Sequence, residues 1–77
     1  MMRALEGGAR LRVALRGYPH HLDPETVAFL RSLPYRWRRA VELYYGCGMT
    51  LGQAGQELCV SRWTVARDLD HAADLFR

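Results

Sequence analysis

Apolar positions recur along this chain with two periods, and the period predicts the elements. From Arg62 onward, Val65, Leu69, Ala72 and Phe76 step by four, three and four residues, which makes one stripe of a helix. At about 100° per residue, Trp63, Arg67, Asp70 and Asp74 face the opposite way, with Trp63 and Arg67 one turn apart and able to stack. Between Pro34 and Tyr45 the pattern is helical again. Trp37, Ala40, Val41 and Tyr44 share one face; Tyr35, Arg38, Arg39 and Glu42 share the other. Asp23-Pro24-Glu25 opens an earlier helix: aspartate as cap, proline in the first turn, glutamate near the positive helix end. That helix carries Val27, Phe29, Leu30 and Leu33 and stops at Pro34. Ahead of it the period changes. Leu11, Val13 and Leu15 alternate along RLRVALR, which predicts a short strand, while Gly7 and Gly8 interrupt a helix starting at Met1. A lone strand has no mate in this chain, so residues 1–22 read either as a basic arm ordered by a partner or as a disordered tail.

The most specific stretch is Thr50 to Val65, TLGQAGQELCVSRWTV. Thr50 caps a helix, and Gln53 reaches back to close a capping box. Ala54, Leu58 and Val60 point inward, and Gly55 is small where two helices cross closely. Cys59 sits at the turn. Ser61 caps a second helix, of which Val65 is the first inward anchor. This order fits two short helices at a steep angle, a helix-turn-helix, although a tight helical corner in a small core gives part of the same pattern. The predicted fold class is therefore all-α: a small helix-turn-helix bundle of three to four helices at 23–77, with an irregular or extended N-terminal arm at 1–22. Trp37, Val41, Leu58, Val65, Leu69, Ala72 and Phe76 are the predicted core.

Composition narrows the function. A chain of 77 residues is one small domain with a thin core. Its apolar runs are too short for a membrane span and its N-terminus lacks a signal-peptide core, so a cytoplasmic protein without membrane contact is expected. The net charge of +3 suits a polyanion partner, and every basic residue is arginine. The charge is unevenly spread. Residues 1–39 hold eight arginines against three acids, and residues 40–77 hold three arginines against five acids. Cys47 and Cys59, with His20 and His21, do not match a zinc spacing; two reduced thiols, no metal and no cofactor are expected. The sequence shows no nucleophile–base pair, no paired carboxylates in an apolar setting and no phosphate loop, so an enzyme is not expected.

From Leu33 to Arg77 the chain resembles region 4 of bacterial sigma factors. Leu33-Pro34, Arg36, Arg38, Val41, Leu43, Tyr45, Thr50-Leu51, Glu57-Leu58, Val60-Ser61-Arg62, Val65, Ala72 and Arg77 carry the likeness. The resemblance implies a last helix that reads promoter DNA and an apolar side that grips the flap of the RNA polymerase beta subunit. Three positions depart from it. Ala54 stands where isoleucine is usual, Asp68 where an apolar residue is usual, and Cys59 where glycine is usual; a left-handed backbone there costs Cys59 about 1 kcal/mol. Without the other sigma regions, this chain is not expected to work as a sigma factor. Small free-standing proteins with this domain are commonly phage regulators, and YYGCGMTL with SRWTVARDLDHA is more loosely similar to phage late-gene antitermination proteins of the Q type.

The expected function is thus a transcription regulator, phage or prophage encoded, that binds double-stranded DNA and acts with RNA polymerase. The alternative is a polymerase-binding protein, an antiterminator or a sigma-mimicking inhibitor, whose domain serves mainly protein contacts. The candidate DNA-binding residues are Arg62, Trp63, Thr64 and Arg67 on the last helix, Thr50 and Ser61 at the two caps, and Arg36, Arg38 and Arg39 on phosphates, for which a solvated helix face is the competing reading. The sequence sets no oligomeric state, and a dimer is compatible with it.

Overall fold

The computed structural model describes residues 2–76, with side chains described from Gly7 to Phe76. Five α-helices follow in order: α1 (Met2–Ala14), α2 (Pro24–Ser32), α3 (Tyr35–Val41), α4 (Leu51–Leu58) and α5 (Arg62–Leu75). The described residues contain no strand. Helix α5 is the centre of the bundle, with α1, α3 and α4 packed around it. Val65, Leu69, Ala72 and Ala73 of α5 are buried with Leu30 and Leu33, Ala40 and Val41, Leu43, and Ala54. Trp37, Leu58 and Phe76 are half-buried at the edge of this cluster rather than inside it. Trp37 lies flat on the imidazole of His71, with ring centroids 5.0 Å apart, and Phe76 packs on Phe29.

The N-terminal segment differs from the expected extended arm. Residues 2–14 form a helix, and Leu11 and Leu15 are buried to 0% and 1% exposure in the common core. The physical reason is that Leu11 and Leu15 are four residues apart, so they satisfy a helical stripe as well as an alternating one. An unpaired strand leaves its backbone groups unsatisfied, whereas a helix bonds its own and still buries both leucines. Gly7 does not break this helix; it lets α1 approach α5. A Cβ at Gly7 would sit 1.7 Å from the carbonyl oxygen of Ala73. Val13, on the other side of α1, is exposed. The turn after α1 passes through Gly17 and His21 at positive φ and a cis Tyr18–Pro19 bond.

Two further details differ from the pattern. The helix expected to run to Tyr45 widens after Val41 into one π-turn, Glu42–Gly46, in which Cys47 N–H donates to the Glu42 carbonyl at 2.9 Å. Asp23 occupies the cap position of α2, but its side chain makes no capping hydrogen bond.

Candidate nucleic-acid interface

The stretch from Thr50 to Val65 folds as two capped helices joined by a tight turn. Thr50 Oγ1 accepts from the Gln53 N–H at 3.1 Å, and Gln53 Oε1 accepts from the Thr50 N–H at 2.9 Å, so the capping box closes in both directions. Helix α4 ends at Cys59, which has φ 58° and ψ 40°. This is the left-handed conformation that favours glycine, here held by a non-glycine residue. The Val60 N–H donates to the Gly55 carbonyl at 2.9 Å, and a Cβ on Gly55 would lie 2.7 Å from the Val60 carbonyl oxygen. Only glycine lets the chain fold back this closely. Ser61 Oγ then accepts from the Thr64 N–H at 3.2 Å and starts α5.

The start of α5 carries its outward groups on one side. Arg62, Trp63 and Arg67 are exposed, and Thr64 is half-buried with its hydroxyl 3.2 Å from Ser61 Oγ. Trp63 is 72% exposed, more than any other large apolar residue described. Its stacking partner is Arg62, whose guanidinium carbon lies 5.2 Å from a Trp63 ring centroid, and not the expected Arg67. Arg67 is exposed and makes no ion pair with another described residue. Thr50, Leu51, Gly52, Arg62 and Trp63 together line a hollow of about 430 Å³ between the starts of α4 and α5. A larger hollow, about 600 Å³, lies at the other end of α5 against α1 and α2, away from these groups.

The three arginines of α3 are not equivalent free cations. Arg36 Nε donates to Asp68 Oδ2 at 2.7 Å and its Nη2 to Asp68 Oδ1 at 3.3 Å. The fork of the guanidinium thereby grips a carboxylate that is only 1% exposed. This hydrogen bond, and then the Asp68 charge, raises the Arg36 pKa. Arg39 is held by Glu42, and its pKa is raised first by that hydrogen bond. Arg38 lies 5.2 Å from the Tyr35 ring centroid and 4.0 Å from Glu42, too long for a hydrogen bond; its Nε is buried without a partner. The Arg36–Asp68 pair escaped the sequence pattern. The available signal was Asp68 itself, since a carboxylate beside Val65 and Leu69 on the inner side of α5 requires a cation or a donor.

Beyond Arg67 the outward side of α5 turns acidic, with Asp70 exposed and Asp74 half-buried. Cys47 and Cys59 are free thiols at the surface. Among the described residues no group of three or more His, Cys, Asp or Glu side chains is placed to hold a metal ion, and no described helix is long and apolar enough to cross a membrane. No curated protein and no solved structure matches the chain. A family model, sigma-70 region 4, matches residues 29–73, which run from the second half of α2 through α5 as far as Ala73. With α4 and α5 each capped and joined by the tight turn at Cys59, and that model covering more than half of the sequence, the chain belongs to the sigma-70 region 4 family of DNA-binding transcription domains.

Proposed function

We propose that this chain is a transcription regulator that lays the first turns of α5 in the major groove of double-stranded DNA and works together with RNA polymerase. In this reading Arg62, Trp63, Thr64 and Arg67 meet bases and adjacent phosphates, while Thr50 and Ser61 fix the two helix starts beside the backbone. The observation that carries it is the joint exposure of Arg62, Trp63 and Arg67 at the capped start of α5, next to the capped start of α4. A helix presented in this way is the element that helix-turn-helix domains insert into the groove. Arg38 adds phosphate attraction. Arg36 and Arg39 add less, because Asp68 and Glu42 already neutralise them.

The charge distribution supports a second attachment. Phosphate approach is limited to the start of α5, since Asp70 and Asp74 follow Arg67. Two weak attachments together exceed either alone by orders of magnitude. The flap of the polymerase beta subunit is the partner that the sigma resemblance suggests, in a phage or prophage regulator. The same distribution favours one alternative, a polymerase-binding antiterminator or inhibitor whose domain serves mainly protein contacts.

The test is a gel shift of the full chain on genomic fragments at fixed salt, with and without bacterial RNA polymerase, beside a pull-down of the polymerase. Specific binding that tightens with polymerase is expected. Tight binding that polymerase does not alter leaves a simple DNA-binding repressor. Retention of polymerase with no DNA binding selects the alternative.

A further inference from the structure

Trp63 does not match the chemistry of its neighbours. Arg62, Thr64 and Arg67 offer donors or a hydroxyl to polar base edges and phosphates. The indole offers one N–H and a broad apolar body, and it is left 72% exposed. An apolar surface of that size gains free energy only when something apolar covers it. Within a major groove the choice is short: the base edges there are donors and acceptors, and the apolar group they present is the C5-methyl of thymine. 5-Methylcytosine carries a methyl at the same ring position.

We propose that Trp63 is a specificity-determining residue that reads a C5-methyl group in the major groove. The proposal rests on the DNA-binding reading above and names what one side chain recognises within it. Two features of the site support it. The Arg62 guanidinium over the indole, 5.2 Å from the ring centroid, restrains the ring on the groove-facing side of α5. Beside it the hollow is open: a Cβ on Gly52 would meet nothing nearer than Thr50 Oγ1 at 4.0 Å. The ring therefore borders open space on the side of the hollow that it shares with Gly52. A protein partner could also cover an exposed tryptophan. The arginines at 62 and 67 favour a polyanion instead, and the protein partner becomes an outcome of the test.

The experiment selects duplexes from a random-sequence DNA library with the full chain, then rebuilds the selected duplex with deoxyuridine in place of thymidine, one position at a time. This change removes the methyl and leaves every hydrogen-bonding group in place. The wild-type chain is expected to enrich a sequence with thymine at a fixed position and to bind the uracil version about fourfold more weakly per methyl lost. Trp63→Ala is expected to bind both versions equally, with an unchanged circular-dichroism spectrum because the side chain is exposed. Restoring the methyl as 5-methylcytosine, in a duplex carrying cytosine at that position, should strengthen binding by wild type and not by Trp63→Ala. If the wild type enriches a sequence but binds thymine and uracil versions equally, the methyl inference is overturned and the DNA-binding reading stands. If Trp63→Ala still distinguishes thymine from uracil, another side chain reads the methyl and the inference is overturned. If Trp63→Ala loses polymerase in a pull-down while its DNA selection is unaltered, the tryptophan is a protein contact and the inference is overturned. If no duplex is bound or enriched at all, the DNA-binding reading fails and this inference fails with it.

Discussion

Asp68 carries a carboxylate on the buried side of α5, at a position where an apolar side chain would suit the core. It is tolerated because Arg36 reaches across from α3 with two donors. The two partners are not symmetrical: Asp68 is sealed, whereas Arg36 keeps about half of its side chain in water. Removing Arg36 strands a buried charge, while removing Asp68 leaves a guanidinium that water can solvate. Arg36→Ala is therefore expected to lower the thermal midpoint clearly, and Asp68→Leu to leave it equal or higher. Thermal unfolding followed by circular dichroism checks this, and an Arg36→Ala protein as stable as the wild type would remove the role given to the pair. Tyr18 and Tyr45 supply a pH dependence. Burial, the largest cause for each, raises both phenols above the ordinary tyrosine value of about 10. A group whose folded pKa is raised gives its full stabilisation below the unfolded pKa and loses it as pH climbs through the folded one. The urea midpoint is expected to fall above pH of about 10, and to fall less steeply in Tyr45→Phe. A midpoint that is flat across that range would contradict the sign.

At the scale of elements, α1 has the most consequence. It lies outside the family match of 29–73 yet supplies Leu11 to the core that backs α5, together with Leu15, the residue that follows the helix. Leu11→Ala is expected to cost on the order of 2–5 kcal/mol, and Gly7→Ala about 1–3 kcal/mol because its new methyl meets the Ala73 backbone. Arg16 on the same segment is exposed, so Arg16→Gln should change stability by less than about 0.5 kcal/mol. Urea denaturation of the three variants makes the comparison. Equal, small effects from all three would mean that α1 is not part of the folding unit. The same packing argues that trimming residues 1–22 disturbs the core as well as removing arginines, so charge is better tested by substitution than by truncation.

At the scale of the whole molecule, α1 folds inward and does not reach out as an arm. The radius of gyration is 11.3 Å, against about 11.5 Å for a compact chain of this length. The α1 backbone is thus held on the bundle, and Arg12 lies over the rings of Tyr44 and Tyr45. In the proposed reading, DNA attraction then rests on Arg62 and Arg67 near the start of α5, with Arg38 adding to it. Arg67→Ala is expected to cost about 1–3 kcal/mol at one base position and to relax sequence preference there. Arg38→Ala is expected to weaken binding to all sequences alike and to flatten the salt dependence. Binding isotherms on matched and mismatched duplexes at two salt concentrations separate the two. Equal losses with unchanged preference would make Arg67 a phosphate contact only.

The sequence by itself determined the local features: the Thr50–Gln53 capping box, the Ser61 cap, the small Gly55 at the crossing, the stripe of α5 and the outward Trp63. Each depends on residues within about a turn of one another, where helix geometry alone decides which side chains meet. The features that only the tertiary structure decided are those whose partners are distant in sequence. Leu11 and Leu15 fit a strand or a helix equally well until α5 is there to bury them. Asp68 looks like a defect in the core until Arg36, thirty-two residues earlier, is brought against it. Arg36 and Arg39 look like free cations until their carboxylates are in place. A short period in the sequence fixes an element, but whether a charge is available or a face is covered depends on what packs against it.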